Sequence, residues 1–176
     1  MKRLANIVST AAVILLAVSA TAQTRPDFSG RWTSGPEPAA TGRSGEPAGD
    51  MGSGWGSSIT ITQTAERMTV EYVFFARGDM QPPLRFVFAL DGSETKNSVM
   101  MGRGIQTQTS KTAWEGDKLV ITTTHSFAHP ETGQPLTSEV KRTLTLESPT
   151  SLIIETTRNG VLGGPSSTTR TVYRKL

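Results

Sequence analysis

The chain has no cysteine among its 176 residues. That absence excludes a disulfide framework, a thiol nucleophile, thiolate metal ligands and a thioether-linked acyl anchor in one step. No N-x-S/T glycosylation acceptor occurs, and His125 and His129 are the only histidines. Long apolar runs are also missing: the longest covers about residues 11–18, well short of the roughly 20 apolar residues a membrane-crossing helix needs. No cluster of Lys and Arg is present of the kind that tracks phosphates, so nucleic acid is not an expected partner.

What is present starts with "MKRLANIVSTAAVILLAVSATAQ". Lys2 and Arg3, the apolar run and the small-x-small Ala20-Thr21-Ala22 form the pattern of a secretory signal peptide. Residues 1–22 are therefore expected to be removed, with maturation to Gln23, and export without disulfides points to a bacterial periplasmic or secreted setting. The formal net charge of +3 includes Lys2 and Arg3; residues 1–22 hold no acid, so their loss leaves +1. The basic balance belongs to the export signal. About 150 remaining residues suffice for one domain with its own core.

Residues 23–56 hold a short aromatic segment, "RPDFSGRWTS", and then a stretch from 35 to 56 rich in Gly, Pro, Ala and Ser, which reads as a long loop or lid. From residue 57 to 176 apolar and polar residues alternate with many Thr, Val and Ile, the period-two pattern of half-buried strands. Strands are expected at 58–64, 67–75, 84–90, 95–101, 105–114, 118–127, 137–147, 151–159 and 168–176, with a tenth around Trp32. Short turns such as "DGSE" and "WEGDK" allow only antiparallel neighbours. No mature window carries a helical stripe. The expected fold is all-β, an antiparallel up-and-down meander closed into a barrel of 8–10 strands, since closure removes exposed edges. A two-sheet sandwich is the rival.

Two fragments carry a family resemblance. "DFSGRW", Asp27 to Trp32, resembles the G-x-W opening of lipocalins and the related fatty-acid-binding proteins, and "TVYRKL", Thr171 to Leu176, resembles the closing strand of the latter. The resemblance implies a calycin barrel around an internal cavity, with Gly30, Trp32 and Tyr173 structural and Arg170 or Arg174 packed over Trp32. Thr171 stands where fatty-acid-binding proteins place a carboxylate-gripping arginine, so that grip is not carried over. The "DFSG-x-W" start and the "WEGDKLVI" hairpin also resemble exported bacterial proteins of unassigned function.

Strand register can be read independently by asking which face carries the large apolar residues. Leu119, Ile121, Leu144, Leu146, Leu152 and Ile154 then form a closed apolar end. His125, Arg142, Thr156 and Arg158 continue on the same inward face toward the open end. Tyr72, Phe74, Leu84 and Phe86 reach that end from the opposite wall, and Gln106 and Gln108 lie on a strand whose register stays open. An aromatic wall facing two arginines and a histidine suits a mostly apolar small molecule with an anionic head. The competing reading is that these arginines only cover apolar surface with their stems at a wet mouth.

Catalytic patterns are scarce. No G-x-S-x-G elbow or H-E-x-x-H motif occurs, and Asp91, Glu94, Glu115, Asp117 and Glu147 fall on turns or outward faces, as do Glu71 and Glu139. The glycine pairs at 102–104 and 162–164 precede no helix and are not phosphate cradles. Trp55 and Trp114 are expected to cap the barrel ends, with a lid as the other role open to Trp55. On an extended strand four residues span about 13 Å, too far for His125 and His129 to share a metal, and Pro130 disfavours a helical turn there. No metal, cofactor or catalytic residue is assigned. The expected function is an exported protein holding an apolar or amphipathic ligand. An enzyme using His125 as base in the same cavity, and a protein-binding or inhibitory domain, are the alternatives.

Overall fold

A computed structural model of the chain describes residues 25–35, 53–72, 83–101, 104–128, 132–159 and 165–176. They form ten strands: β1 (Gly30–Thr33), β2 (Ser58–Gln63), β3 (Arg67–Tyr72), β4 (Leu84–Ala89), β5 (Thr95–Met101), β6 (Gly104–Glu115), β7 (Lys118–Ala128), β8 (Pro135–Ser148), β9 (Ser151–Arg158) and β10 (Ser167–Lys175). All belong to one sheet in the order β4-β3-β2-β1-β10-β9-β8-β7-β6-β5, and every ladder is antiparallel. The meander predicted from alternation is present as a nearly closed barrel. The first strand meets the last, Trp32 opposite Lys175, so the remaining seam falls between β4 and β5.

That seam is bridged by side chains. The Asn97 amide accepts from the Val87 N–H at 2.8 Å and donates to the Val87 carbonyl at 2.9 Å, as a peptide group of a paired strand would. Lower down, the Thr112 hydroxyl donates to the Ala89 carbonyl. Asn97 and Thr112 are both buried. They satisfy edge groups that would otherwise lack partners.

Side-chain parity places the core. Leu119, Ile121, Leu144, Leu152 and Ile154 are fully buried, and Leu146 packs against them. Each such burial contributes about 1.5–3 kcal/mol. Trp114 lies at this end, its ring stacked on Phe28 at 6.2 Å with 13° between planes. Phe28 is drawn in by Gln63, whose amide accepts from the Phe28 N–H and donates to the Pro26 carbonyl. The segment before β1 thus closes the end of the barrel to which the 116–117 and 149–150 turns belong.

The cation over Trp32 is Lys175, with Nζ 5.2 Å from the ring centroid, and not Arg170 or Arg174. Parity gives the reason. Tyr173 is buried inside, so Lys175 shares its inward face, whereas the even-numbered Arg170 and Arg174 point outward. Arg170 pairs there with Glu147 at 3.8 Å, and Arg174 is exposed. Gly30, at φ +147°, makes room for Lys175: a Cβ would stand 2.6 Å from Lys175 Cε.

A candidate ligand site inside the barrel

The lumen is chemically divided. Strands β2, β3 and β4 present Ile59, Ile61, Val70, Tyr72, Phe86 and Phe88, all buried. Tyr72 and Phe86 stack at 5.6 Å with 9° between planes. The facing strands present Gln108, Ser110, Thr123, Arg142 and Thr156, also buried. The Ser110 and Thr123 hydroxyls satisfy each other at 2.9 Å.

Arg142 dominates the polar wall. It is 7% exposed, and burial, the first cause, lowers its pKa to about 10, with Tyr72 acting the other way and Arg158 adding to the fall. It remains a cation at neutral pH. No carboxylate pairs with it among the described residues. Its Nε donates to the Ser53 carbonyl at 2.8 Å, and its guanidinium lies 5.0 Å from the Trp55 ring centroid. Arg158, half-buried, donates to Thr169 at 3.4 Å.

Trp55 is not a cap at the barrel end. It is buried in the core, between Arg142 on β8 and Phe88 on β4, whose ring is 6.0 Å away. The reason is a strap, residues 53–56, that turns into the barrel from the β1–β2 connection at the open end. A relay of hydrogen bonds holds it: the Trp55 N–H donates to Ser53 Oγ at 3.1 Å, Ser53 Oγ lies 2.6 Å from the Tyr173 hydroxyl, and Tyr173 donates to the Gly56 carbonyl. Burial raises the Tyr173 pKa, which keeps the phenol a donor. Gly54, at φ +76°, passes where a Cβ would stand 3.0 Å from Arg142 Nη2 and 3.2 Å from Arg158 Nη2.

His125 faces the lumen above Arg142, between Gln108 on β6 and Ser138 on β8. Burial, and secondarily the Arg142 charge, lower its pKa, so it is neutral at pH 7. Its Nε2 is buried without a hydrogen-bond partner among the described residues, as is Thr156 Oγ1. Thr156 stands directly opposite Arg142 in register and is fully buried.

Of the residues expected to line a site, Tyr72, Phe86, His125, Arg142, Thr156 and Arg158 occupy inward positions. Phe74, the His129 position and the side chain of Gln106 lie outside the described residues, while Gln108, whose register stayed open, faces in. The strap escaped sequence reasoning because a glycine-rich segment with one aromatic has no periodicity. Its only signal was Trp55 itself, an isolated large apolar residue in a loop composition. Among the described residues no three His, Asp or Glu side chains gather to hold a metal ion. The chain matches no family model, no curated protein and no solved structure. What it has been shown to be is a ten-stranded antiparallel up-and-down β-barrel, nearly closed, with a divided lumen.

Proposed function

We propose that the protein is an exported carrier or binder of a small apolar or amphipathic molecule with an anionic head, held inside the barrel. The observation that carries this reading is a nearly fully buried arginine without a carboxylate partner among the described residues, facing an aromatic wall. Burying a cation is costly unless an anion or good acceptors compensate it. A ligand whose head meets Arg142 and whose body lies on Tyr72 and Phe86 supplies both halves of the match. The resemblance of "DFSGRW" and "TVYRKL" to lipocalins and fatty-acid-binding proteins supports the same use of the cavity.

Two other readings draw less support. A base at His125 needs a group to act on, and its Nε2 has no partner among the described residues. A docking domain needs an exposed apolar patch, and Leu176 is the one large hydrophobic exposed among the described residues.

Native mass spectrometry of protein purified from its own host tests the proposal. An added mass that leaves on denaturation and is reduced in Arg158→Gln is the expected result. Bare protein from host cells, together with no binding of either decanoate or 4-phenylbutanoate by the purified protein, overturns it.

A further inference from the structure

We infer that the strap Ser53–Gly56 is an internal stand-in for the ligand, and that the ligand is an aromatic oxyanion which takes the places of the Ser53 carbonyl and the Trp55 ring on Arg142. This rests on the reading of the barrel as a ligand holder and makes the ligand's class specific. Two contacts on Arg142 define the class: an oxygen acceptor at Nε, 2.8 Å away, and a flat ring over the guanidinium, 5.0 Å from its carbon to the centroid. An aryl carboxylate or aryl sulfonate presents the same pair in one small molecule.

Charge favours the exchange. The Ser53 carbonyl is neutral, whereas an oxyanion brings a full opposite charge to the guanidinium and can accept from it at two oxygens. The incoming anion also provides the opposite charge that no described carboxylate gives Arg142. Thr156 Oγ1, fully buried beside Arg142 and without a partner, is a further donor for a second oxygen.

Geometry favours it as well. Nη2 of Arg142 and Nη2 of Arg158 lie 3.0 and 3.2 Å from one point beside Gly54. They are therefore no more than 6.2 Å from each other, a span that the oxygens of one anion bridge. Only a residue without a side chain passes there, so the strap occupies the converging donors without blocking them permanently. Trp55 lies across the lumen between Phe88 and Arg142, and an aromatic ligand entering there requires it to leave. Among the described residues, the strap's hydrogen bonds to the barrel wall run to Arg142 and Tyr173. Ligand and strap then compete for one seat, and affinity rises as the strap is weakened.

The test compares 4-phenylbutanoate with decanoate by calorimetry, on the wild type, on Trp55→Ala and on the double variant Ser53→Ala/Tyr173→Phe. The double variant keeps the Tyr173 ring and removes only the hydroxyl relay. Tryptophan emission, excited beyond the probe's absorption and recorded in a Trp114→Phe background, follows Trp55 as the change over the signal of Trp32. The expected result is binding of 4-phenylbutanoate with a red shift of emission, about tenfold tighter binding by the double variant, and decanoate at least about tenfold weaker. If Trp55→Ala does not fold, the double variant and the emission shift decide. Equal binding of the two acids, or binding that neither variant strengthens and that leaves emission unchanged, overturns the inference while the barrel remains a ligand holder. Binding of neither acid by the folded wild type and variants overturns both.

Discussion

The guanidinium of Arg142 is sandwiched into the strap that it holds: Nε bonds the Ser53 carbonyl at 2.8 Å while the Trp55 ring lies 5.0 Å from the guanidinium carbon. One buried cation thereby fixes a loop inside a barrel. The bond anchors the backbone and the ring covers the charge. Removing either partner leaves the other in an apolar surrounding, which makes the pair a sensitive point of the fold.

Truncating Arg142 to Ala is expected to destabilise the protein by about 2–4 kcal/mol, because the Ser53 carbonyl loses its donor and a cavity opens beside Trp55. Arg142→Met, which refills the volume and removes the buried charge, costs less. Urea unfolding with unchanged m values checks the order. Equal losses in the two variants would show that the charge, not the packing, matters.

Tyr173→Phe removes one hydroxyl from the relay joining Trp55, Ser53 and Gly56. The expected loss is about 1–2 kcal/mol. In a double-mutant cycle with Ser53→Ala, a coupling of about 0.5–1.5 kcal/mol is expected because the two hydroxyls share a bond. Additive losses would place the stabilising contact elsewhere.

The seam between β4 and β5 depends on the Asn97 amide. Asn97→Asp keeps an acceptor for the Val87 N–H but sets a carboxylate against the Val87 carbonyl, and a loss of about 1–3 kcal/mol is expected. Asn97→Leu loses both bonds and exposes the edge. Hydrogen exchange at the Val87 amide is the direct readout, and should accelerate in Asn97→Leu more than in Asn97→Asp.

His125 makes stability depend on pH. Its folded pKa is lowered, chiefly by burial, so below the ordinary value near 6.5 the unfolded chain binds the proton first. The stability from a neutral buried ring is intact above that unfolded value, and is lost as pH falls through the folded pKa. Melting temperature should therefore drop from pH 7.5 to 5, and the drop should shrink in His125→Gln. Direct titration of the ring resonances must give a midpoint below the unfolded value.

Much of this architecture was readable from alternation. The apolar positions Leu119, Ile121, Leu144, Leu152 and Ile154 set the register of three strands, and the same parity carried His125, Arg142 and Thr156 to the inner face. Parity also corrects the family resemblance at Trp32: Arg170 and Arg174, which the resemblance implied, are out of phase with Tyr173, and Lys175, the cation found there, is in phase. Gln108 resisted because its strand sets Gln106, Gln108, Ser110 and Thr112 on one face and Thr107, Thr109 and Lys111 on the other, with little apolar contrast to choose between them.

By itself, the sequence determined the all-β class, the antiparallel order and which side faces in for the strands with a clear apolar face, since these follow from local spacing and short turns. Only the tertiary structure decided what fills the lumen. Trp55 is brought to Arg142, 87 positions away in the chain, by contacts among Ser53, Gly56 and Tyr173 that no periodicity encodes. The location of the seam was likewise a tertiary outcome: β1 meets β10, and consecutive strands β4 and β5 are left to be joined by Asn97, with Thr112 of β6 reaching β4 beside it. Side-chain bonds between distant residues made both choices, and they exist only once the barrel has formed.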